Sequence, residues 1–429
     1  MIRNVLILLV SIVVYLSFGI TNFLFILFSI LTTYIAAKFL EKRSKKIILT
    51  IAIGINAFIL IFFKLYGANL FPSLEENWNL VAPMGVSYYT LQVISYLVDV
   101  YKGKYKAENN FFYYCLYIFY IPHLFIGPIS RYEDMKKQFL TPTKISFTNL
   151  YNGALRFAWG VLKKLVIAGR ASIVIATITQ GGETYQGAYA LLAMLLYSIQ
   201  LYTDFSGGID MVMGVSKMLG IELQENFDSP YYAQTIKEFW RRWHISLSSW
   251  LRDYIYIPLG GSRCSKIRKV VNTLITFLVS GFWHGANYLL WGILHGIFVL
   301  LGDTLKTKWK WLNRGITFVL VSFLWSFFIW SNTGEAVRMM GSVFTTWNIV
   351  DLGNNILNLG LTFADWVVLL VFTLVLFVFD GNKSKIIQKV KKWSPEVKTI
   401  ILCSILLCIF ILGIYGIGFQ VDDFIYSKF

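Results

Sequence analysis

Read for the alternation of apolar and polar positions, the chain is a succession of long apolar runs parted by short cationic stretches. A helix needs about 20 mostly apolar residues to cross a hydrocarbon core about 30 Å thick. By that measure candidate spans cover residues 5–19, 22–37, 47–65, 80–98, 111–129, 150–178 and 185–202. Further candidates cover 270–301, 315–330, 363–379 and 400–418. No internal repeat, low-complexity tract or flexible linker interrupts them, so the pattern predicts a single membrane domain over residues 1–429 of the all-α polytopic class. Helices are the expected spanning element because lipid offers the backbone no hydrogen-bond partner.

Composition agrees. Charged residues make up 14% of the chain and hydrophobic ones 56%, whereas soluble domains carry about 25% charged residues. The mean hydropathy of +0.60 leaves too little polar surface for a water-soluble body. Lys and Arg total 39 against 23 acids. In a soluble chain that excess would suggest nucleic acid, but no nucleic-acid signature accompanies it, and none is expected as a partner. In a membrane chain it marks cytoplasmic loops. The loops holding Lys38, Lys42, Lys45 and Lys46, then Lys102, Lys104 and Lys106, then Lys383, Lys385, Lys389, Lys391 and Lys392 are therefore read as cytoplasmic. The stretch 70–79, with Glu75 and Glu76, fits the outside. Alternating spans reproduce this order from an inside N-terminus. The first apolar run has no small-residue cleavage site and reads as a retained helix rather than a signal peptide. Cys115, Cys264, Cys403 and Cys408 show no paired or metal spacing, so no disulfide framework is expected.

Two segments break the alternation. Residues 111–129 are flanked by cations on both sides and contain Pro122, His123, Gly127 and Pro128, poor residues for a straight helix. Residues 270–301 are likewise preceded by Arg263, Lys266, Arg268 and Lys269 and followed by Lys306, Lys308 and Lys310. Both are expected to enter the membrane and return. Irregular backbone at that depth is tolerated only inside protein or beside a water-filled cavity, which is where a site is sought.

The chain has four histidines, His123, His244, His284 and His295. His284 sits in Ser280-Gly281-Phe282-Trp283-His284-Gly285-Ala286-Asn287, inside the second irregular segment. An ionisable group at membrane depth is expensive and usually faces a pathway; the alternative is a helix-packing histidine. His244 lies in Glu238-Phe239-Trp240-Arg241-Arg242-Trp243-His244-Ile245-Ser246-Leu247, followed by Trp250-Leu251-Arg252-Asp253. At helical spacing Trp240, Trp243 and Leu247 share a face, as in an interfacial helix with tryptophans at headgroup level. His244 and Asp253 fit a polar pocket entrance better. Asp204 and Asp210 interrupt an apolar region and read first as structural partners of Arg241 or Arg242. His123 and His295 read as packing residues. Four scattered histidines make a poor metal site, so no metal is expected. HExxH, Walker A and GxSxG motifs are missing, leaving no support for zinc proteolysis, nucleotide hydrolysis or a serine-hydrolase elbow. What survives is a buried base suited to activating a hydroxyl toward an activated acyl group.

Over nearly its whole length the chain resembles the membrane-bound O-acyltransferases, and among them the bacterial branch that acetylates alginate and other cell-surface polysaccharides. The motifs that carry this are Tyr202-Thr203-Asp204-Phe205-Ser206-Gly207, Glu225-Asn226-Phe227, Trp240-Arg241-Arg242-Trp243-His244, Pro258-Leu259-Gly260-Gly261 and Trp283-His284-Gly285-Ala286-Asn287. Upstream, Pro83-Met84-Gly85-Val86-Ser87-Tyr88-Tyr89 and Pro122 to Ile129 fit the same branch. The resemblance implies a ring of about eleven transmembrane helices, with re-entrant and interfacial helices around a central tunnel, and a catalytic region near 200–300. It implies His284 as the catalytic residue and His244 as the second functional position. Arg241, Arg242, Trp243, Trp283, Asn287, Asp253 and Asp204 are the candidate donor and substrate contacts. The implied donor is acetyl-CoA or another acyl thioester on the cytosolic side, with no bound cofactor. The implied acceptor is a cell-envelope polysaccharide, reached with an extracytoplasmic acyltransferase- or esterase-like partner in a lipid membrane. Members of the family often carry a further apolar segment upstream, so Arg3-Asn4-Val5-Leu6-Ile7 is expected to match their second helix.

Two other readings are weighed. The related branch that passes D-alanine from a carrier protein to teichoic acid has Trp-Asn-Arg-Trp-His and lacks the Pro-Leu-Gly-Gly run, so the acetylating branch is preferred. A glycan-precursor transporter suits broken segments and buried acids, but the broken segments do not fall in matching halves.

Overall fold

The computed structural model describes residues 2–43, 45–68, 82–124, 126–141, 146–302, 304, 306–330 and 332–415, and all regular structure there is helical. The predicted outside stretch 70–79 and the end of the 400–418 run lie outside the described residues. Five helices are long and apolar enough to cross a membrane among those described, and shorter apolar helices accompany them.

The first four helices follow the predicted alternation. They are α1 (Ile2–Ser17), α2 (Ile20–Arg43), α3 (Lys46–Tyr66) and α4 (Val86–Tyr101). At one end Tyr15 donates to the Met84 carbonyl and Asn22 accepts from the Met84 N–H. At the other, cations gather: Lys38 donates to Asn109, Lys104 pairs with Asp99 at 2.7 Å, and Lys136 pairs with Glu108 at 2.5 Å.

The segment 111–129 is broken as expected. Helix α5 (Phe111–Phe119) is followed by one short turn, Ile121–Leu124, and the chain returns to the cationic face at α6 (Tyr132–Leu140). At its tip the Leu124 carbonyl would lie 2.7 Å from a Cβ on Gly85, which has φ +71°, so only glycine fits there.

The run 150–178 is one bent rod: α7 (Phe147–Leu162), a π turn at Lys163–Ala168, and α8 (Gly169–Gln180). It packs on the longest helix, α9 (Ala188–Met218), which extends well past the predicted 202. The two backbones approach closely because a Cβ at Gly160 would meet the Gly207 carbonyl at 2.4 Å, and one at Gly153 the Gly214 carbonyl at 2.6 Å. Small residues let helices associate in lipid, where the hydrophobic effect gives no drive.

The stretch around His244 departs from expectation. Instead of one interfacial helix there are two short ones, α10 (Ile236–Arg242) and α11 (Ile245–Leu251), with a sharp turn between them. Trp240, Trp243 and Trp250 are buried rather than at headgroup level. The spacing that suggests a single face comes from aromatic packing into the protein, not onto lipid.

The segment 270–301 forms the predicted re-entrant pair. Helix α12 (Lys266–His284) enters from the cationic side, and α13 (Leu289–Leu301) returns. Gly281 and Gly292 form the seam: an added Cβ at Gly292 would meet the Phe277 carbonyl at 2.4 Å. The longer helices that remain are α14 (Lys310–Leu324), α15 (Thr333–Thr345), α16 (Phe363–Gly381), α17 (Lys383–Lys392) and α18 (Pro395–Leu412). One contiguous core of buried residues reaches from Ile7 to Leu376.

Candidate active site

The hairpin geometry sets His284. It ends α12, and at 1.5 Å per residue it stands about 27 Å along the axis from Lys266. Its neighbour Trp283 donates from Nε1 to the Ser87 carbonyl at 3.1 Å, tying the apex to the start of α4. The His284 ring meets Trp291 edge-on at 5.2 Å and Phe328 at 5.8 Å.

His244 arrives from the other side. Its backbone is left-handed, with φ +44° and ψ +54°, a conformation few non-glycine residues adopt. The turn is braced by Asn226, whose carbonyl accepts from the Ile245 N–H at 3.0 Å and whose Oδ1 accepts from the Ser246 N–H at 2.9 Å. Phe239 stacks on Trp243 at 5.3 Å just before the turn. The imidazole is thereby held against Phe205 at 4.9 Å and Trp283 at 6.0 Å.

Both histidines are almost wholly buried, at 1% and 3% exposure, so ligand access is confined to the protein interior. Two further titratable groups, Lys64 and His295, pack on the rings that flank His284, Trp283 and Trp291. Neither Lys64 nor His295 is among the sequence-derived site residues. Lys64, in the last turn of α3, sits 5.9 Å above the Trp283 ring. Its lone charge late in an apolar run was the available signal. His295 accepts from Trp240 Nε1 at 3.1 Å through Nδ1 and lies 4.8 Å from Trp291. Around them, the buried indole N–H groups of Trp243, Trp291 and Trp325 meet no acceptor among the described residues. Tryptophan N–H groups usually find a partner when buried, so these three are donors held in reserve within the aromatic cluster around the histidines.

The other sequence-derived residues spread out. Trp243 packs on Trp325 and Trp283 on His244 within the aromatic cluster, and Asn287 lies in the turn just beyond His284. Arg241 is exposed on α10, while Arg242 is held by Glu238 at 2.8 Å and by the Asp228 carbonyl at 3.2 Å. Asp253 pairs with Arg131 at 3.3 Å on the cationic face. Asp204 and Asp210 do take cation partners, but not Arg241 or Arg242. Lys164 reaches Asp204 at 2.7 Å, while Arg156 and Lys163 reach Asp210 at 2.9 and 2.5 Å. Successive side chains on an α-helix diverge by about 100°; the looser π turn at Lys163–Ala168 lets two consecutive lysines reach one neighbour. His123 packs between Tyr117 and Tyr120 and contacts the Tyr117 carbonyl at 2.9 Å. Among the described residues no group of three or more His, Cys, Asp or Glu side chains could hold a metal ion.

Comparison with known proteins follows the same lines. A probable alginate O-acetylase of Pseudomonas syringae is 39% identical over 299 residues, 68% of this chain and 57% of that protein. A peptidoglycan O-acetyltransferase of Helicobacter pylori is 33% identical over 338 residues, 69% of this chain and 64% of that one. A teichoic acid D-alanyltransferase of Bacillus subtilis is 30% identical over 266 residues, 58% of this chain and 67% of that one. The chain spans 54–66% of the length of the alginate O-acetylases it matches. The sequence profile of the membrane-bound O-acyltransferase family covers residues 106–342, which contain both His244 and His284. The chain is a multi-pass membrane protein and belongs to the membrane-bound O-acyltransferase family.

Proposed function

We propose that this protein transfers an acetyl group from a cytosolic thioester, with acetyl-CoA as the donor, to a hydroxyl destined for a cell-envelope polysaccharide on the other side of the membrane. The observation that carries the reading is the convergence of His244 and His284 on Trp283 inside a buried aromatic cluster. A base positioned within hydrogen-bond reach of a hydroxyl contributes typically 10²–10⁴-fold to such a step.

His284 takes the proton of the attacking hydroxyl as its oxygen bonds to the thioester carbonyl carbon. Collapse of the tetrahedral carbon breaks the C–S bond, and the thiolate leaves with the proton that His284 returns. His244 orients the donor arm or shares the proton. The indole N–H groups of Trp243, Trp291 and Trp325 are donors for the developing oxyanion, an interaction worth several kcal/mol in other enzymes. Arg241, exposed on α10, is the cation assigned to donor phosphates. Moving only the acyl group spares the charged donor from crossing hydrocarbon. Asn287, past His284, is assigned to the acceptor side, where an acyltransferase- or esterase-like partner would complete delivery to the glycan. Asp204 and Asp253 are assigned to holding the scaffold through Lys164 and Arg131.

The names of the relatives, alginate O-acetylase and peptidoglycan O-acetyltransferase, support an acetyl cargo and a glycan acceptor. The test is ester-linked acetate on purified envelope glycans from a deletion strain complemented with wild type or His284→Ala at matched membrane levels. Acetate restored by wild type alone is the expected result. Unchanged acetate with altered ester-linked D-alanine would move the protein to the D-alanylating branch. No ester change at all, with glycan translocation in vesicles lacking acyl donor, would favour a transporter.

A further inference from the structure

Open space is found away from the histidines. A cavity of about 460 Å³ opens between α7, α9, α16, α17 and α18. Tyr202, Phe205, Phe227 and Trp243 stand between it and His244, their ring centroids 5.0–6.0 Å apart. A molecule in the cavity therefore faces a closed aromatic wall rather than an imidazole.

The charges deep in the cavity answer one another. Arg156 grips Glu225 with two nitrogens at 2.7 and 2.8 Å, and Lys163 holds Asp210. Lys383 lies 3.6 Å from Glu225, and Tyr202 donates to Asp380 at 2.6 Å. The surplus is at the mouth. Lys391 lines the cavity and meets no acid within ion-pair distance among the described residues. It belongs to α17, which carries Lys383, Lys385, Lys389, Lys391 and Lys392 and no acid. Lys217, which also lines the cavity, is paired among the described residues with the exposed Glu222, at 3.3 Å.

The walls show which phase the cavity faces. α16 turns Leu370, Leu374 and Val378 outward, and α18 turns Leu406, Leu407 and Phe410 outward, all exposed. Exposed leucine and phenylalanine on helices of this kind face bilayer, and α17 ends where the cationic side of the protein begins. One acceptor within, Asn152 Oδ1, is buried without a donor among the described residues.

We propose that this cavity binds an anionic phospholipid of the cytoplasmic leaflet. Its phosphate sits between Lys391 and Lys217, a headgroup hydroxyl donates to Asn152 Oδ1, and one acyl chain runs along Leu155, Trp159 and Ile405. The assignment does not depend on the acetyl-transfer reading, since the aromatic wall separates the cavity from the histidines. A lysine near an anionic headgroup contributes about 1 kcal/mol, equivalent to about fivefold in affinity.

The test uses the purified full chain in detergent, with palmitoyl-oleoyl phosphatidylglycerol or phosphatidylcholine added and retention read by native mass spectrometry. Phosphatidylglycerol should be retained at least tenfold more strongly. Lys217→Gln with Lys391→Gln should lower that retention about 25-fold, and Lys391→Gln alone about fivefold, without moving the unfolding temperature. Ile405→Trp, which fills the cavity from its outer wall, should reduce retention of both lipids. Equal retention of the two lipids, or lysine variants that bind like wild type, overturns the proposal. One-for-one displacement of phosphatidylglycerol by acetyl-CoA also overturns it, because the phosphate would then belong to a soluble thioester. Loss of acetate transfer in His284→Ala with lipid retention intact is expected, and keeps the two assignments distinct.

Discussion

The imidazole of His244 meets the indole of Trp283 at 6.0 Å, and Trp283 in turn meets His284 at 4.9 Å, so one tryptophan is the shared wall of both histidines. The contact is made by two elements far apart in sequence, a re-entrant hairpin apex and a left-handed turn. Each has its own brace: Ser87 accepts from Trp283, and Asn226 accepts from the backbone after His244.

The left-handed backbone at His244 allows its chemical and conformational roles to be separated. A left-handed L-residue costs about 1–2 kcal/mol, and glycine escapes that cost. His244→Gly should therefore unfold at a higher temperature than His244→Ala in the same detergent, by the equivalent of about 1 kcal/mol. Both should lose acetate transfer to a similar degree. If His244→Gly restored transfer relative to His244→Ala, the turn rather than the imidazole would be what matters.

The hairpin seam gives a second test. A Cβ on Gly292 would lie 2.4 Å from the Phe277 carbonyl and 3.2 Å from the Gly281 Cα. Gly292→Val should force α12 and α13 apart, costing about 1–3 kcal/mol as overpacking does, and should reduce transfer by displacing His284. Gly315→Val makes a control, since a Cβ there meets nothing within 4 Å. Equal unfolding temperatures for the two variants would contradict the close approach.

Much of this architecture is legible in the sequence, and the residues show why. Cations on both sides of 270–301 require the chain to return to the face it left, so the hairpin and the placing of His284 follow from charge alone. The break at 120–122 follows from Pro122. The turn at His244 does not, because Trp240, Trp243 and Leu247 fit a continuous helix equally well. Histidine also tolerates the left-handed region without leaving a mark in the pattern. Asn226 appears in a motif but acquires its bracing role only once the loop is folded against Ile245 and Ser246. The partners of Asp204 and Asp210 are hidden for a different reason. Arg156, Lys163 and Lys164 lie inside an apolar run read as one span, and the π turn that aims the lysines has no periodic signature.

That buried network should be sensitive to loss of one member. Asp210 answers both Arg156 and Lys163, and Lys163 is 3% exposed. Removing one partner of a buried ion pair typically costs about 3–5 kcal/mol, because the remaining charge is left without compensation. Asp210→Asn should lower the unfolding temperature far more than Asp253→Asn, whose pair with Arg131 is partly exposed and worth about 0–1 kcal/mol. Lys163→Met combined with Asp210→Leu should recover part of the loss. A double variant no better than Asp210→Asn would place the cost in packing instead of charge.

Trp240 sets the tautomer of His295. Its indole N–H donates to Nδ1 at 3.1 Å, which makes Nδ1 the acceptor and leaves Nε2 to carry the proton when the ring is neutral. His295 is fully buried beside Trp291, and Trp291 also flanks His284. Trp240→Phe keeps the aromatic packing against Phe277 and Trp291 but removes the donor. Leaving a buried acceptor unsatisfied costs about 1–3 kcal/mol, so the unfolding temperature should fall modestly. If His295 only packs, acetate transfer should track the amount of folded protein. If its protonated Nε2 helps hold the reacting centre beside His284, transfer per folded molecule should fall about tenfold, and His295→Gln should show the same loss. The comparison of rate with folded fraction, measured in one membrane preparation, separates these outcomes, and the expected result is the loss beyond folding, since His295 and His284 pack on the same Trp291 ring at 4.8 and 5.2 Å.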